Sequence, residues 1–211
     1  MTENSGYIVE HCRPNCPRNA KPWELLQKDL DSALSSLNLS ETLTKKFKPL
    51  LYHQIAKISL AGCPNGCSQP LIKDFGVIGY VMPKITDLVC QGCGACVKAC
   101  QEKALSLPKG EISINSTLCL ACGDCVRVCP SGTLSPGERG WNLYLGGRVG
   151  RHPHFAEWVG KATGEAEVIE WVTKILNDYL KYCYPQERLS NFLERVVLMQ
   201  NSEVRSQSSE V

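Results

Sequence analysis

The run CQGCGACVKAC at residues 90–100 returns as CLACGDCVRVC at 119–129, with every cysteine displaced by 29 positions. No other feature restricts the fold so tightly. Each run has the spacing C-x2-C-x2-C-x3-C, and the second ends in Cys129-Pro130, the arrangement of bacterial-type iron–sulfur ligation. Three cysteines this close wrap one cubane of iron and sulfide, but their short spacer cannot carry a fourth thiolate round to the remaining iron. The other run supplies it. Cys90, Cys93 and Cys96 are expected to share a 4Fe-4S cluster with Cys129, and Cys119, Cys122 and Cys125 to share one with Cys100. Neither half closes its own site, and the pair sets two redox centres side by side as an electron relay.

The residues between the ligands, Gly92, Gly94 and Ala95 in one run and Ala121 and Gly123 in the other, suit a backbone that folds closely round a cluster and points amides at its sulfurs. The intervening GEISI is expected to form a strand. Over roughly 55 residues this stretch resembles the bacterial two-cluster ferredoxin family, departing from it in that Gln101, not proline, follows Cys100. A pair of zinc sites is the competing reading, but structural zinc seldom uses four closely packed cysteines twice in one register.

Thirteen cysteines in 211 residues demand a chemical explanation, and disulfides are the simplest. Against them, the opening MTENSGYIVEHCRPNC lacks the basic start and apolar stretch of a secretory signal. A cytoplasmic protein is expected, and in that reducing compartment tightly spaced thiols serve as metal ligands. Lys and Arg total 23 against 21 Asp and Glu, a balance that implies neither a nucleic-acid partner nor a charged tail. The longest apolar stretches, such as VVLM at 196–199, fall far short of a bilayer span of about 20 residues.

The rest of the chain reads as an α+β host around an insert. Trp23, Leu26, Leu30, Ala33, Leu34 and Leu37 recur at helical spacing over 22–37. A second helix is expected over 41–55, bent or interrupted at Pro49. KISLA, FGVIGYV and WNLYLGG read as strands, and 165–181 and 186–198 return to helical period through Val168, Val172, Ile175, Leu176 and Tyr179, then Leu189, Phe192, Leu193 and Val196. The cysteine repeat occupies 83–136, bounded by Pro83, Pro136 and Gly137. The host is therefore 1–82 with 137–200, and 201–211 is a polar, disordered tail.

Four further cysteines form two C-x3-C pairs, Cys12 with Cys16 and Cys63 with Cys67. Spacing alone leaves zinc and a third iron–sulfur cluster equally open. Their context is more specific. KISLAGCPNGCSQPLIKDFGVIGY resembles the signature of the siroheme-containing nitrite and sulfite reductase family, in which C-P-N-x-C precedes an aspartate and strand glycines, here Cys63, Pro64, Asn65, Cys67, Asp74, Gly76 and Gly79. GWNLYLGGRVGRHPHFAEWVG and YLKYCYPQERLSNFLERV resemble the same family's later strand, its glycine-rich turn and its closing helices. A ferredoxin insert after that strand is what the anaerobic and dissimilatory sulfite reductase branches carry. The resemblance implies a nitrite/sulfite reductase 4Fe-4S lobe with an inserted ferredoxin-like domain, with a third 4Fe-4S cluster on Cys12, Cys16, Cys63 and Cys67. Cys67 would also bridge to siroheme iron, and electrons would run from the insert through this cluster to bound sulfite or nitrite. Three residues separate the first two cysteines here, where the family places five between them.

Siroheme carries many carboxylates and needs cationic donors. Asn65, Arg148, Arg151 and His152 are the expected cofactor contacts, the last three beside Gly146 and Gly147 on a turn; Arg13, Arg18, Lys21 and Lys73 are further cations, with Lys21 and Lys73 read as solvated. Only eleven residues precede Cys12, whereas family members carry a first lobe there with the catalytic bases. A redox partner or a second copy of the chain is expected to supply it. The alternatives are a siroheme-free electron relay within a larger complex, and a zinc-stabilised scaffold bearing a ferredoxin.

Overall fold

The computed structural model describes residues 5–195. A five-stranded sheet forms the frame, in the order β1 (Tyr7–His11), β2 (Ala56–Ala61), β3 (Phe75–Ile85), β6 (Leu134–Leu145) and β7 (Glu157–Ala162). The first three strands run parallel and β6 and β7 antiparallel to their neighbours. Parallel neighbours need long crossovers. α1 (Glu24–Ser35) and α2 (Leu39–Lys46) provide one between β1 and β2, and the irregular segment 62–74 provides the other between β2 and β3.

The core lies where helices cover one face of the sheet. Leu26, Leu30 and Leu34 of α1, with Val168, Val172, Leu176 and Tyr179 of α5 (Glu165–Tyr182), pack on Ile58, Leu60, Phe75, Val77, Trp141 and Leu143. Each such apolar side chain contributes roughly 1.5–3 kcal/mol on burial. The helical period read over 165–181 thus marks the buried stripe, although Ile175 sits at its margin, only partly buried. The closing helix occupies 189–195 with Leu189, Phe192 and Leu193 buried; its expected continuation through Val196 to 198, and the tail 201–211, lie outside the described residues. The helix expected over 41–55 is shorter and earlier. It ends at Lys46, because Phe47 turns extended and the residue before Pro49 is driven out of the helical region.

β3 and β6 form one long antiparallel ladder that leaves the sheet and carries the cysteine repeat at its far end. Pro83 and Pro136 face each other across a register shift and the pairing continues through Lys84 with Ser135 and Ile85 with Leu134, so the prolines mark a bulge in the ladder rather than its end. Beyond it the sequence repeat becomes a backbone repeat. Gly94 (φ 69°, ψ 6°) and Gly123 (φ 76°, ψ 4°) adopt the same left-handed conformation, and each opens a short helix, α3 (Ala95–Ala99) and α4 (Asp124–Arg127). β4 (Leu105–Ser106) pairs with β5 (Ser113–Ile114) inside the expected GEISI strand. Cys96, Leu105, Cys125 and Leu134 form a small core separate from that of the host.

Candidate metal centres

Strand register assembles the first ring of thiols. His11 pairs with Leu60, so parallel β1 and β2 end at the same edge, and the residues that follow are Cys12 and, three past Leu60, Cys63. Gly62 ties the two loops together: its N–H donates to Cys12 Sγ at 3.3 Å, and its carbonyl accepts from the N–H groups of Ala20 (2.7 Å) and Lys21 (3.0 Å) just beyond Cys16. Cys12, Cys16, Cys63 and Cys67 line one cavity of about 320 Å3, with Arg13, Arg18, Asn19 and Asn65 in its wall. Cys12 and Cys63 are buried and Cys67 is exposed. The Asn19 amide oxygen is buried without a hydrogen-bond partner. Burial pushes the Cys63 thiol up, the Asn65 amide opposes this, and the charges of Cys12, Cys16 and Cys67 add to the rise.

The family-signature glycines explain how this loop is held. A Cβ on Gly79 would lie 2.7 Å from the Gly62 carbonyl oxygen, and one on Gly76 would lie 2.5 Å from that of Pro70. The 62–74 crossover therefore lies against β3 at Gly62 and at Pro70, at distances only glycine permits.

In the insert, cysteines of the two runs lie near one another. Burial raises the Cys96 thiol, and the neighbouring charges that raise it further are those of Cys129 and Cys90. Burial pushes Cys125 up to about 11, assisted by Cys122, Cys119 and Cys100. Cys129 is thus a neighbour of Cys96, and Cys100 a neighbour of Cys125. Backbone amides point at the sulfurs: Ala104 N–H donates to Cys100 Sγ (3.2 Å), Leu134 N–H to Cys129 Sγ (3.3 Å) and Gly92 N–H to Cys90 Sγ (3.4 Å). Such donors favour a thiolate and tune the centre it binds. Thiols with backbone amides aimed at sulfur are a donor set that fits an iron–sulfur cluster.

The cationic candidates separate into two places. Arg13, Arg18 and Asn65 line the thiol cavity of the host. Arg148, Arg151 and His152 line a different cavity, of about 700 Å3, together with Lys57, Arg188 and the buried Asp74. Lys57 stands at the start of β2 and Cys63 follows its end, so the two cavities open toward opposite ends of the sheet, roughly 20 Å apart at about 3.3 Å per strand residue. Adjacency to Gly146 and Gly147 says nothing about which end the turn occupies. Arg148 is also committed, as its guanidinium forks onto Glu194 at 2.8 and 3.3 Å. Lys21 pairs with Glu165 at 3.0 Å and Lys73 with Glu10, so both are anchored in ion pairs rather than freely solvated. His11 stacks on Trp23 with ring centroids 4.0 Å apart.

Asp74 is recognisable in the sequence only as part of the signature, and the structure gives it a physical role. Its carboxylate accepts the Lys57 N–H at 2.9 Å, and burial pushes its pKa up from 3.8 to about 6 against that hydrogen bond. The folded state holds this proton more tightly than the unfolded state does. The stabilisation is complete below about pH 4 and is lost as pH rises through about 6, amounting to about 3 kcal/mol at about 1.4 kcal/mol per pH unit. Asp74→Asn is expected to be more stable than the unmodified protein at pH 8 by up to that amount and to lose the advantage by pH 4, as read from denaturation midpoints at the two pH values.

This fold and these thiol rings define an iron–sulfur protein, and comparison with known proteins identifies which kind. The chain belongs to the nitrite and sulphite reductase 4Fe-4S domain family, which matches residues 27–205. It is 42% identical over 144 residues to the coenzyme F420-dependent sulfite reductase of Methanocaldococcus jannaschii, covering 66% of this chain and 23% of that protein. It is 43% identical over 67 residues to a subunit of the anaerobic sulfite reductase of Salmonella typhimurium, covering 32% of this chain and 19% of that one. The chain thus spans less than a quarter of either relative's length. The crystal structure of dissimilatory sulfite reductase I shares the fold, with a TM-score of 0.57 and 22% identity over 93% of this chain and 51% of that one. Among the described residues no helix is long and apolar enough to cross a membrane.

Proposed function

We propose that the chain is an electron-carrying subunit of nitrite or sulfite reductase type. Two 4Fe-4S clusters would be held by the insert, one on Cys90, Cys93, Cys96 and Cys129 and the other on Cys119, Cys122, Cys125 and Cys100. A third would be held by Cys12, Cys16, Cys63 and Cys67. The observation that carries this reading is the convergence of Cys12, Cys16, Cys63 and Cys67 on one cavity, supported by the nearness of Cys129 to Cys96 and of Cys100 to Cys125. When bound, each cluster supplies a one-electron store whose potential follows hydrogen bonding and burial. The protein's part is to present thiolates, aim amides at them and exclude water, and the buried Cys12, Cys63, Cys96 and Cys125 do this most fully.

Siroheme binding is part of the proposal at the mouth of the host cavity. Cys67 is the exposed thiol there and the one able to be shared with a second iron, Asn65 offers an amide, and Arg13 and Arg18 offer charge to carboxylates. Two arginines are few for a cofactor with many carboxylates. The remaining cations, and the acceptor chemistry, would come from a partner chain or a second copy. That same shortage favours the alternative, a siroheme-free relay passing electrons between larger partners, in which Arg148, Arg151 and His152 on the opposite end serve a partner contact instead.

A visible spectrum of protein purified without air distinguishes the two, since siroheme adds sharp bands that iron–sulfur clusters lack. Cys67→Ser is expected to abolish any siroheme bands while leaving the paramagnetic signals of both insert clusters. Loss of all cluster signals together would overturn the modular assignment. Bands that survive the substitution would remove Cys67 from the bridging role.

A further inference from the structure

The cavity at the end of the sheet away from the cysteines gathers more positive charge than its surroundings balance. Five Lys and Arg side chains line its volume of about 700 Å3, against one carboxylate, Asp74. Two of the five are already paired, Lys73 with Glu10 and Arg148 with Glu194. Lys57, Arg151 and Arg188 remain, and among the described residues none of them forms a salt bridge. Asp74 offsets one of them at most, and its carboxylate already accepts the Lys57 N–H at 2.9 Å. A concave wall with surplus charge of one sign concentrates counter-ions of the other. Arg148 braces the loop that presents Arg151. Its Nε donates to the His152 carbonyl at 3.1 Å, and its backbone pairs with that of His154 in both directions at 2.9 and 3.0 Å. The rest of the wall is partly apolar: Ile55 and Leu189 are buried in it, and the exposed Tyr52 ring lies under Lys57 Nζ at 4.8 Å.

We propose that this cavity is a binding site for a phosphate-bearing organic ligand of nucleotide size, separate from the cysteine sites. Guanidinium groups match phosphate oxygens with paired N–H donors, so Arg151 and Arg188 are the phosphate contacts, with Lys57 as a point charge beside them. Volume decides between the bare ion and a larger ligand. A cavity of about 700 Å3 falls within the range of about 300–1,000 Å3 that holds a whole organic molecule, far more than one phosphate fills. Tyr52, Ile55 and Leu189 give such a ligand an aromatic face and apolar surface beside the cations. The site shares no lining residue with the host thiol cavity, so the inference holds whatever clusters the cysteines carry. It gives Arg151 and His152 a small ligand in place of the partner contact that a siroheme-free relay would assign them.

Calorimetric titration of the full chain, reconstituted without air, with ADP and separately with pyrophosphate tests the site. ADP is expected to bind with a Kd below about 1 mM and more tightly than pyrophosphate. Arg151→Ala/Arg188→Ala is expected to weaken both probes by about tenfold or more, the scale of a lost charge-assisted hydrogen bond. Tyr52→Ala should remove the advantage of ADP and leave pyrophosphate binding as it was. Both arginines are exposed, so the double variant should keep the iron content and visible spectrum of the unmodified protein. Should it fail to fold, Arg151→Glu alone is expected to weaken both probes. Failure of both probes to bind, or unchanged affinity in the arginine variants, overturns the site. Pyrophosphate bound as tightly as ADP overturns the organic part of the ligand, and polyglutamate bound more tightly than either overturns the small ligand in favour of an acidic partner segment. Each of these outcomes leaves the cluster assignment standing, because iron content reports that separately.

Discussion

Cys129→Ala is expected to remove the cluster of the upstream run and to spare that of its own. Cys129 stands ten residues after Cys119, and a site closed locally would use it with Cys119, Cys122 and Cys125. The fold opposes that closure. Gly123 starts α4 in the conformation that Gly94 gives α3, so the two runs share one backbone course. The charges felt by Cys96 come from Cys90 and Cys129, while those felt by Cys125 come from Cys119, Cys122 and Cys100. Cys129 also receives the Leu134 N–H, and such bonds hold its thiol below the usual range despite the opposing effect of burial. Anaerobically reconstituted Cys129→Ala protein should fall from about twelve irons to about eight. The surviving insert cluster should then be lost in Cys129→Ala/Cys122→Ala and retained in Cys129→Ala/Cys93→Ala. The opposite assignment would mean that each run closes its own site.

Gly79→Ala is the second substitution expected to have a large effect. The added methyl group would meet the Gly62 carbonyl oxygen at 2.7 Å, with the Lys21 side chain at 3.1 Å. Overpacking of this kind costs about 1–3 kcal/mol. Here the displaced group is also the tie between the two cysteine loops, because Gly62 bonds Cys12 Sγ through its N–H and Ala20 and Lys21 through its carbonyl. Moving Gly62 carries Cys63 and the Cys12–Cys16 loop out of register together. A lowered denaturation midpoint should therefore accompany the loss of about four irons, with both insert clusters retained. A stability loss of that size with full iron content would show that the glycine serves packing alone.

The parts of this protein that are legible in its sequence are those in which local spacing dictates geometry. The cysteine runs specify their own backbone, and α5 announces its buried stripe through Val168, Val172, Leu176 and Tyr179. β1 and β7 give no such signal, because as edge strands they carry few buried side chains and no clean alternation: four of five residues of β1 are half-buried, and β7 is exposed at its first three positions. The placement of Arg148, Arg151 and His152 depends on which end of the sheet β6 leaves, and no local pattern encodes that. The packing of Cys122 against Val81, like the position of Asn65 between two sites, arises from tertiary contacts between segments distant in the chain.

The most direct test is the metal and sulfide content of the full chain purified and reconstituted without air. Three cubanes predict about twelve irons with an equal amount of acid-labile sulfide and no stoichiometric zinc. About eight irons with one zinc would contradict the assignment of the host site, and absence of labile sulfide would contradict the account as a whole.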